Sequence, residues 1–191
     1  MQAVAAPVRW AVAAALLIGL LPMQPAPVQG NELEYAVKAT YLYKLAPFVQ
    51  WPDPAAEFPG GVFLLCVVGQ DPFGAVLDRA VSGQSIAGHP IVVRRFATIT
   101  GNPGCAVMYV AGSQEQPAAS VLAAVHGQPV LTVTDEALAP KVKGIIDFVL
   151  IDNRVRFDID VAMAAEDGLA ISSKLLSLAI TVRPRPGRRP P

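Results

Sequence analysis

The stretch Leu64–Gly74 reads LLCVVGQDPFG, and its reading decides the fold. Leu64 to Val68 is an unbroken apolar run closed by Gly69, the pattern of a strand buried on both faces. The strand is placed at Gly61 to Val68. Gln70-Asp71-Pro72 turns the chain, and Pro72 to Val81 is predicted helical, with Asp71 as N-cap and the proline in the first turn. Strand, turn and helix in that order open a βαβ unit. Phosphate-binding loops share the layout, but they need several glycines or a Gly-Lys-Ser/Thr, so that backbone N–H groups cradle oxygens. GQDPFG has two glycines and no lysine. Asp71 would repel a phosphate, and Pro72 removes one donor that a helix start offers. The stretch is read as a fold junction.

The pattern continues outward. Pro90–Phe96 (PIVVRRF), Cys105–Ala111 (CAVMYVA) and Pro129–Val133 (PVLTV) read as strands, and Ser82–Gly88 as a turn. Ser113–His126 reads as a helix, capped by Ser113 and stopped by Gly127. Gly144–Leu150 and Val155–Ile159 flank Asp152-Asn153 as a hairpin. Asp160–Asp167 is predicted helical, closed by Gly168, and Ser172 caps a last helix, SSKLLSLAI. Ahead of the first strand, Leu33, Val37, Tyr41, Leu45 and Phe48 form one stripe of an amphipathic helix. Asn31 is its expected cap, and Pro47 ends or kinks it. Trp51-Pro52-Asp53-Pro54 makes an extended turn. Alternating strands and helices followed by a hairpin predict an α/β fold: a single compact domain, with a mixed, mostly parallel sheet flanked by helices on both faces.

The chain has 191 residues, and its first thirty are set apart. Arg9 is the only charge before Glu32, Trp10–Leu21 is apolar throughout, and Val28-Gln29-Gly30 offers a cleavage site. That is the layout of a secretory signal peptide over 1–30, and the apolar run is short of the roughly 20 residues a bilayer span needs. An uncleaved N-terminal anchor is the alternative. Residues 31–182 form the expected domain, and 183–191 (RPRPGRRPP) an Arg/Pro tail with no means of building a core. Without Arg9 and the four tail arginines, ten basic residues face fifteen acidic ones, a body near −5. An acidic body argues against a nucleic-acid surface. Export would place Cys66 and Cys105 in an oxidising compartment, where a pair is expected to bond. Two buried free thiols, or a redox switch, are the alternatives.

Catalytic constellations are not found. His89 and His126 stand apart in sequence, without a second ligand at helical or turn spacing, and read as surface histidines. No Gly-x-Ser-x-Gly elbow occurs. Asp158 and Asp160 share one strand side with Arg154 and Arg156, an ion-pair ladder or a ligand patch. The expectation is a protein that is not an enzyme, with no cofactor and no metal. Tyr35, Tyr41 and Tyr43 crowd the first helix, as core with a wet rim or as a partner-facing surface.

Seven stretches together carry a resemblance: EYAVKATYLYKLAPFVQWP (34–52), FLLCVVGQDPFG (63–74), GHPIVVRRF (88–96), Cys105 with its strand, PVLTVTD (129–135), GIIDFVLIDNRVRFDID (144–160) and GLAISSKLLSLA (168–179). In this order they resemble the YfiR family of exported bacterial proteins. The resemblance implies a periplasmic repressor of an inner-membrane diguanylate cyclase, acting through the cyclase's periplasmic sensor part and lowering cyclic di-GMP signalling and biofilm formation. The alternative it leaves is a ligand-sensing protein acting on a membrane histidine kinase. It also implies a homodimer, a Cys66–Cys105 disulfide, and a possible small-molecule ligand. The family often has Gly-Gly-Met-Ile-Asn-Phe where this chain has Lys143-Gly144-Ile145-Ile146-Asp147-Phe148, and the family's type member has a further, redox-linked disulfide near 135–148 whose cysteines this chain lacks. Candidate partner- or ligand-surface residues are Tyr41, Tyr43, Trp51, Asp147, Arg154, Arg156 and Lys174.

Overall fold

The structure, a computed structural model, describes residues 29–52 and 58–184. The leader through 28, the Asp53-Pro54 part of the expected turn and the tail from 185 lie outside the described residues. Helix α1 (Gln29–Lys44) starts two residues ahead of Asn31, the expected cap. It stops before Pro47, which sits in a 3-10 turn, Ala46–Phe48, where its missing N–H interrupts no helical ladder. β1 (Val49–Gln50) follows, then β2 (Phe63–Gly69), buried as far as Val68. Helix α2 (Ala75–Val81), β3 (Ser85–Ile86) and β4 (His89–Phe96) come next. β4 runs parallel to β2 with Ile91 opposite Phe63, which completes the βαβ unit.

On the other side of β2 lies β5 (Val107–Gly112), with Val107 opposite Leu65. Helix α3 (Ala118–Val125) leads to β6 (Leu131–Asp135), also parallel, and β7 (Ile146–Ile151) extends the parallel run. β8 (Arg154–Asp160) returns antiparallel to β7. Asp152 and Asn153 form the turn at φ 50 and 57, a left-handed pair that Asp and Asn tolerate and that suits the strand twist. Helix α4 (Val161–Glu166), β9 (Ala170–Ile171), helix α5 (Ser173–Leu176) and β10 (Val182–Arg183) complete the described chain. The main sheet has the order β10-β8-β7-β6-β5-β2-β4-β3, and β1 pairs with β9 in a separate two-stranded ribbon. The fold is thus a mixed, mostly parallel α/β sheet, as predicted.

Alternation along β2 divides the core. Phe63, Leu65 and Val67 face a layer with Ala39 and Leu42 of α1, Leu77 of α2, Ala164 of α4 and Leu175 of α5. Leu64, Cys66 and Val68 face the opposite layer, with Val121 and Val125 of α3. Cys66 and Cys105 are joined by a disulfide inside that second layer, their Cα atoms 5.9 Å apart. Cys105 lies two residues ahead of β5, so the bond ties β2 to the approach of its neighbour rather than strand to strand.

Several local expectations are corrected. Asp71 does not cap α2: its Oδ1 accepts the Phe73 N–H at 2.8 Å, closing a turn, and its Oδ2 accepts from Arg95. The helix begins after Gly74, whose φ of 48 and ψ of −136 suit glycine alone. Ser113 likewise closes a turn, accepting from the Gln116 N–H, and α3 begins only after Pro117. Short polar side chains compete for nearby backbone N–H groups in turns as readily as at helix starts. The Ser82–Gly88 turn contains β3, and the last helix is a single turn. Arg183, placed with the tail by composition, is the second residue of β10.

The strand order reverses at β2, and open α/β sheets bind ligands outside the carboxyl ends of strands at such a switch point. Here that crevice is closed by backbone. A Cβ on Gly69 would lie 2.2 Å from the Gly112 carbonyl oxygen, and the Gln70 N–H donates to that same oxygen at 3.0 Å. Arg95 occupies Asp71, Asp78 and the Gly74 carbonyl just beyond. The opening stretch is a closed junction in this fold.

Candidate functional site

The concavity singled out as the candidate site lies elsewhere, between α1 and the β7–β8 hairpin. It is a groove of about 630 Å³ lined by Leu33, Glu34, Val37 and Tyr41 on one side and Leu150, Asn153, Arg154, Val155 and Arg156 on the other. Leu33, Val37 and Tyr41 belong to the stripe expected to face the core. The neighbouring face, with Lys38, Ala39 and Leu42, is fully buried; of the stripe itself Leu45 is buried and Val37, Tyr41 and Phe48 pack half-buried against the core, while Leu33 is 68% exposed. Two apolar stripes run along this helix: the second is buried fully, and the first is covered increasingly from Val37 to Leu45.

Each wall is anchored. The Tyr41 ring packs on Phe148 and Phe157 with centroids 6.1 and 6.0 Å away, which fixes one wall against the sheet. The two-residue turn fixes the other, and it leaves Leu150 and Ile151 exposed at the hairpin end. Arg154 and Arg156 are exposed, and neither has an ion-pair partner among the described residues. Glu34 is already engaged by Lys38. The groove therefore offers apolar surface and uncompensated positive charge, and its lining holds no nucleophile with an adjacent base. It is suited to binding.

The structure brings Tyr41, Arg154 and Arg156 together here and places the other candidates apart. Tyr43 is half-buried against the first core layer. Trp51 packs on Phe58 and Phe63 in a separate groove of about 560 Å³ with Pro47, Val49 and Ile86. Lys174 is exposed on α5. Asp147 is buried. Its Oδ1 accepts from the Thr134 hydroxyl at 2.7 Å, and its Oδ2 lies 3.1 Å from Lys143 Nζ, in an ion pair whose geometry falls short of a hydrogen bond. Lys143 also donates to Asp158 at 3.2 Å. The two positions whose charge departs from the pattern the resemblance implies thus compensate one another, and Asp147, seconded by Asp158, holds the Lys143 ammonium above the usual lysine range against its partial burial. The His89 ring lies tilted against Phe58, with centroids 5.1 Å apart, and His126 Nδ1 lies 3.4 Å from Asp167.

One cluster escaped the sequence reading. Lys38, 1% exposed, donates to Asp135 Oδ2 at 2.5 Å and to Glu34, and lies 4.8 Å from the centre of the Tyr35 ring. The Tyr109 hydroxyl donates to the same Asp135 oxygen at 3.0 Å. Burial pulls the Lys38 ammonium down, but the hydrogen bonds to Asp135 and Glu34 outweigh it and hold it above the usual lysine range. Burial, then the Asp135 charge, pushes the Tyr109 hydroxyl up, so it stays a donor. The signal was present: Lys38 sits inside the stripe Tyr35, Ala39, Leu42, Ala46, and Asp135 closes an apolar strand. Each charge alone violates its pattern, and each is the other's explanation.

A family model described as YfiR/HmsC-like matches residues 35–180, nearly all of the described chain. No curated protein matches significantly. Among the described residues no helix is long and apolar enough to cross a membrane.

Proposed function

Because the chain belongs to the YfiR/HmsC-like family, whose members are regulators rather than catalysts, we propose that it is an exported repressor of an inner-membrane diguanylate cyclase. It acts on the periplasmic sensor part of that enzyme and lowers cyclic di-GMP output. The family match is the observation that carries this reading. The groove between α1 and the β7–β8 hairpin supports it, since apolar walls with two arginines that have no ion-pair partner among the described residues suit a protein partner and supply no catalytic pair.

The physics of repression is a population shift. The regulator must bind the inactive sensor state more tightly than the active one, and only that difference moves the equilibrium. Holding a cyclase from 1:99 to 99:1 needs a preference of about 10⁴-fold. Envelope conditions that weaken binding release the enzyme. Within this reading, residues 1–30 are removed on export, the mature protein is periplasmic, and it works as a homodimer.

Deletion of the coding sequence tests the proposal. Cyclic di-GMP and biofilm mass are expected to rise, and to fall again when the protein is restored with its leader. Unchanged cyclic di-GMP with the cyclase present would overturn it. Altered phosphorylation of a membrane histidine kinase, with cyclic di-GMP constant, would move the protein to that class of partner.

A further inference from the structure

The groove has one property that its side chains do not reveal: half of its strand wall is a free sheet edge. A two-residue turn makes Ile151 and Arg154 a hydrogen-bonded pair, and antiparallel pairing then alternates. Arg156 and Asp158 bond toward β7, while Val155, Phe157 and Ile159 turn their backbone groups outward. The far half of β8 obeys this pattern: the Ile159 N–H donates to Thr181 O, and the Phe157 carbonyl accepts from the Ile180 N–H, both at 2.9 Å. β10 reaches only Ile159 and Asp160. By this alternation, and with no other strand paired to this half of β8, the Val155 N–H and carbonyl and the Phe157 N–H are left without a backbone partner among the described residues, and Val155 lines the groove.

We propose that this edge receives an extended segment of the protein partner as an added strand, with apolar and acidic side chains in alternation. This deepens the repressor reading and rests on it as far as the partner is concerned. Unpaired edges are templates for strand addition, in which main-chain bonds give affinity and alternate side chains give specificity. Successive side chains of an added strand point to opposite sheet faces. On one face they meet Leu33, Val37 and Tyr41 of α1; on the other they meet Arg154 and Arg156. The first set is apolar. The second carries carboxylates, because among the described residues both arginines lack a counter-charge while Lys38, Arg95, Lys143 and Arg183 each have one. A second copy fits poorly, since a two-fold pairing of β8 with itself about Val155 sets Arg154 against Arg156 of the other copy, and directly opposed like charges repel.

The probe is a capped heptapeptide of alternating valine and glutamate, with an alternating valine and lysine peptide as its control, each at millimolar concentration with the mature protein. Amide exchange at Val155 and Phe157 is read by NMR. The valine–glutamate peptide is expected to slow both amides by about tenfold or more, equivalent to roughly 1.4 kcal/mol of added protection, and the lysine peptide to leave them unchanged. The Arg154→Glu/Arg156→Glu protein, altered only at exposed positions, should keep its melting temperature and reverse the preference. Absence of protection by the glutamate peptide, equal protection by both peptides, or amides already protected in a free dimer would each overturn strand addition. Deletion raising cyclic di-GMP without peptide protection would reject this docking mode and leave the repressor reading standing. Protection without a cyclic di-GMP response would do the converse.

Discussion

A lysine that is 1% exposed survives in a core only when its charge is matched, and Lys38 meets Asp135 and Glu34 there. Replacing it by methionine leaves Asp135 buried without a counter-charge, a class of change that costs about 3–5 kcal/mol. Lys38→Met is therefore expected to lose that much in chemical denaturation at pH 7. Lys38→Met/Asp135→Asn should recover most of it, because the amide oxygen can accept from the Ala137 N–H while its NH2 donates to the Tyr109 hydroxyl. The folded pKa of Lys38 lies above its usual value of 10.5, so its contribution is complete below 10.5 and fades only as pH rises through the folded value. Asp167 titrates in the opposite sense to most carboxylates. Burial raises it above its usual 3.8, against the lowering by the Gly127 N–H at 2.7 Å. Its contribution favours the fold below 3.8 and is lost as pH rises through the folded value, leaving a buried charge at neutrality. His126 offsets little of that, being itself largely exposed. Asp167→Asn keeps an oxygen for Gly127, so it should be at least as stable as the parent at pH 7. That advantage should shrink as denaturation is repeated toward pH 3.5.

At the scale of elements, the Cys66–Cys105 bond joins β2 to the entry of β5 across 39 positions of sequence. Closing such a loop restricts the unfolded chain by about 4 kcal/mol in the chain-entropy model. The double variant Cys66→Ser/Cys105→Ser is expected to lose up to that amount, and reductant should destabilise the parent but leave the variant's denaturation midpoint unmoved. An unchanged midpoint for the variant would show that the bond does not support the fold. Strands such as β2 and β5 were legible because unbroken apolar runs have few alternatives, and the hairpin because Asp152-Asn153 fits only a left-handed turn. Cysteine pairing was legible because two cysteines in a chain expected to be exported have one partner each. The most deeply buried face of α1 was not. Leu33-Val37-Tyr41 and Tyr35-Ala39-Leu42 have nearly the same helical spacing, so periodicity identifies the helix without choosing its buried side. That choice is made by Asp135, a residue 97 positions from Lys38, and no local pattern contains it. Helix starts were overextended for a related reason. Asp71 and Ser113 are cap residues by type, and their caps close turns ahead of the helices.

For the whole molecule, α1 carries two functions on adjacent faces: Lys38 locks it to the sheet, and Leu33, Val37 and Tyr41 form a groove wall. Under the proposed repressor function, stability and partner binding are then separable by variant. Lys38→Met should lose both, since a loosened helix also misplaces the wall, and repression should return with Lys38→Met/Asp135→Asn. Arg154→Glu/Arg156→Glu should lose repression alone. Cellular cyclic di-GMP beside the melting temperature of each purified protein checks this. Salt adds an independent test. The body of the chain is acidic, so the two arginines form a local positive feature on a negative background, and attraction of an acidic partner segment acts through a Debye length of about 8 Å at physiological ionic strength. Raising salt from 50 mM to 500 mM should slow association of the parent with the cyclase sensor part, because rim charges act mainly on encounter rate. The arginine-to-glutamate protein should show the opposite salt trend in whatever binding it retains. A parent association rate that ignores salt, together with full repression by Arg154→Glu/Arg156→Glu, would place the partner on another face of the molecule.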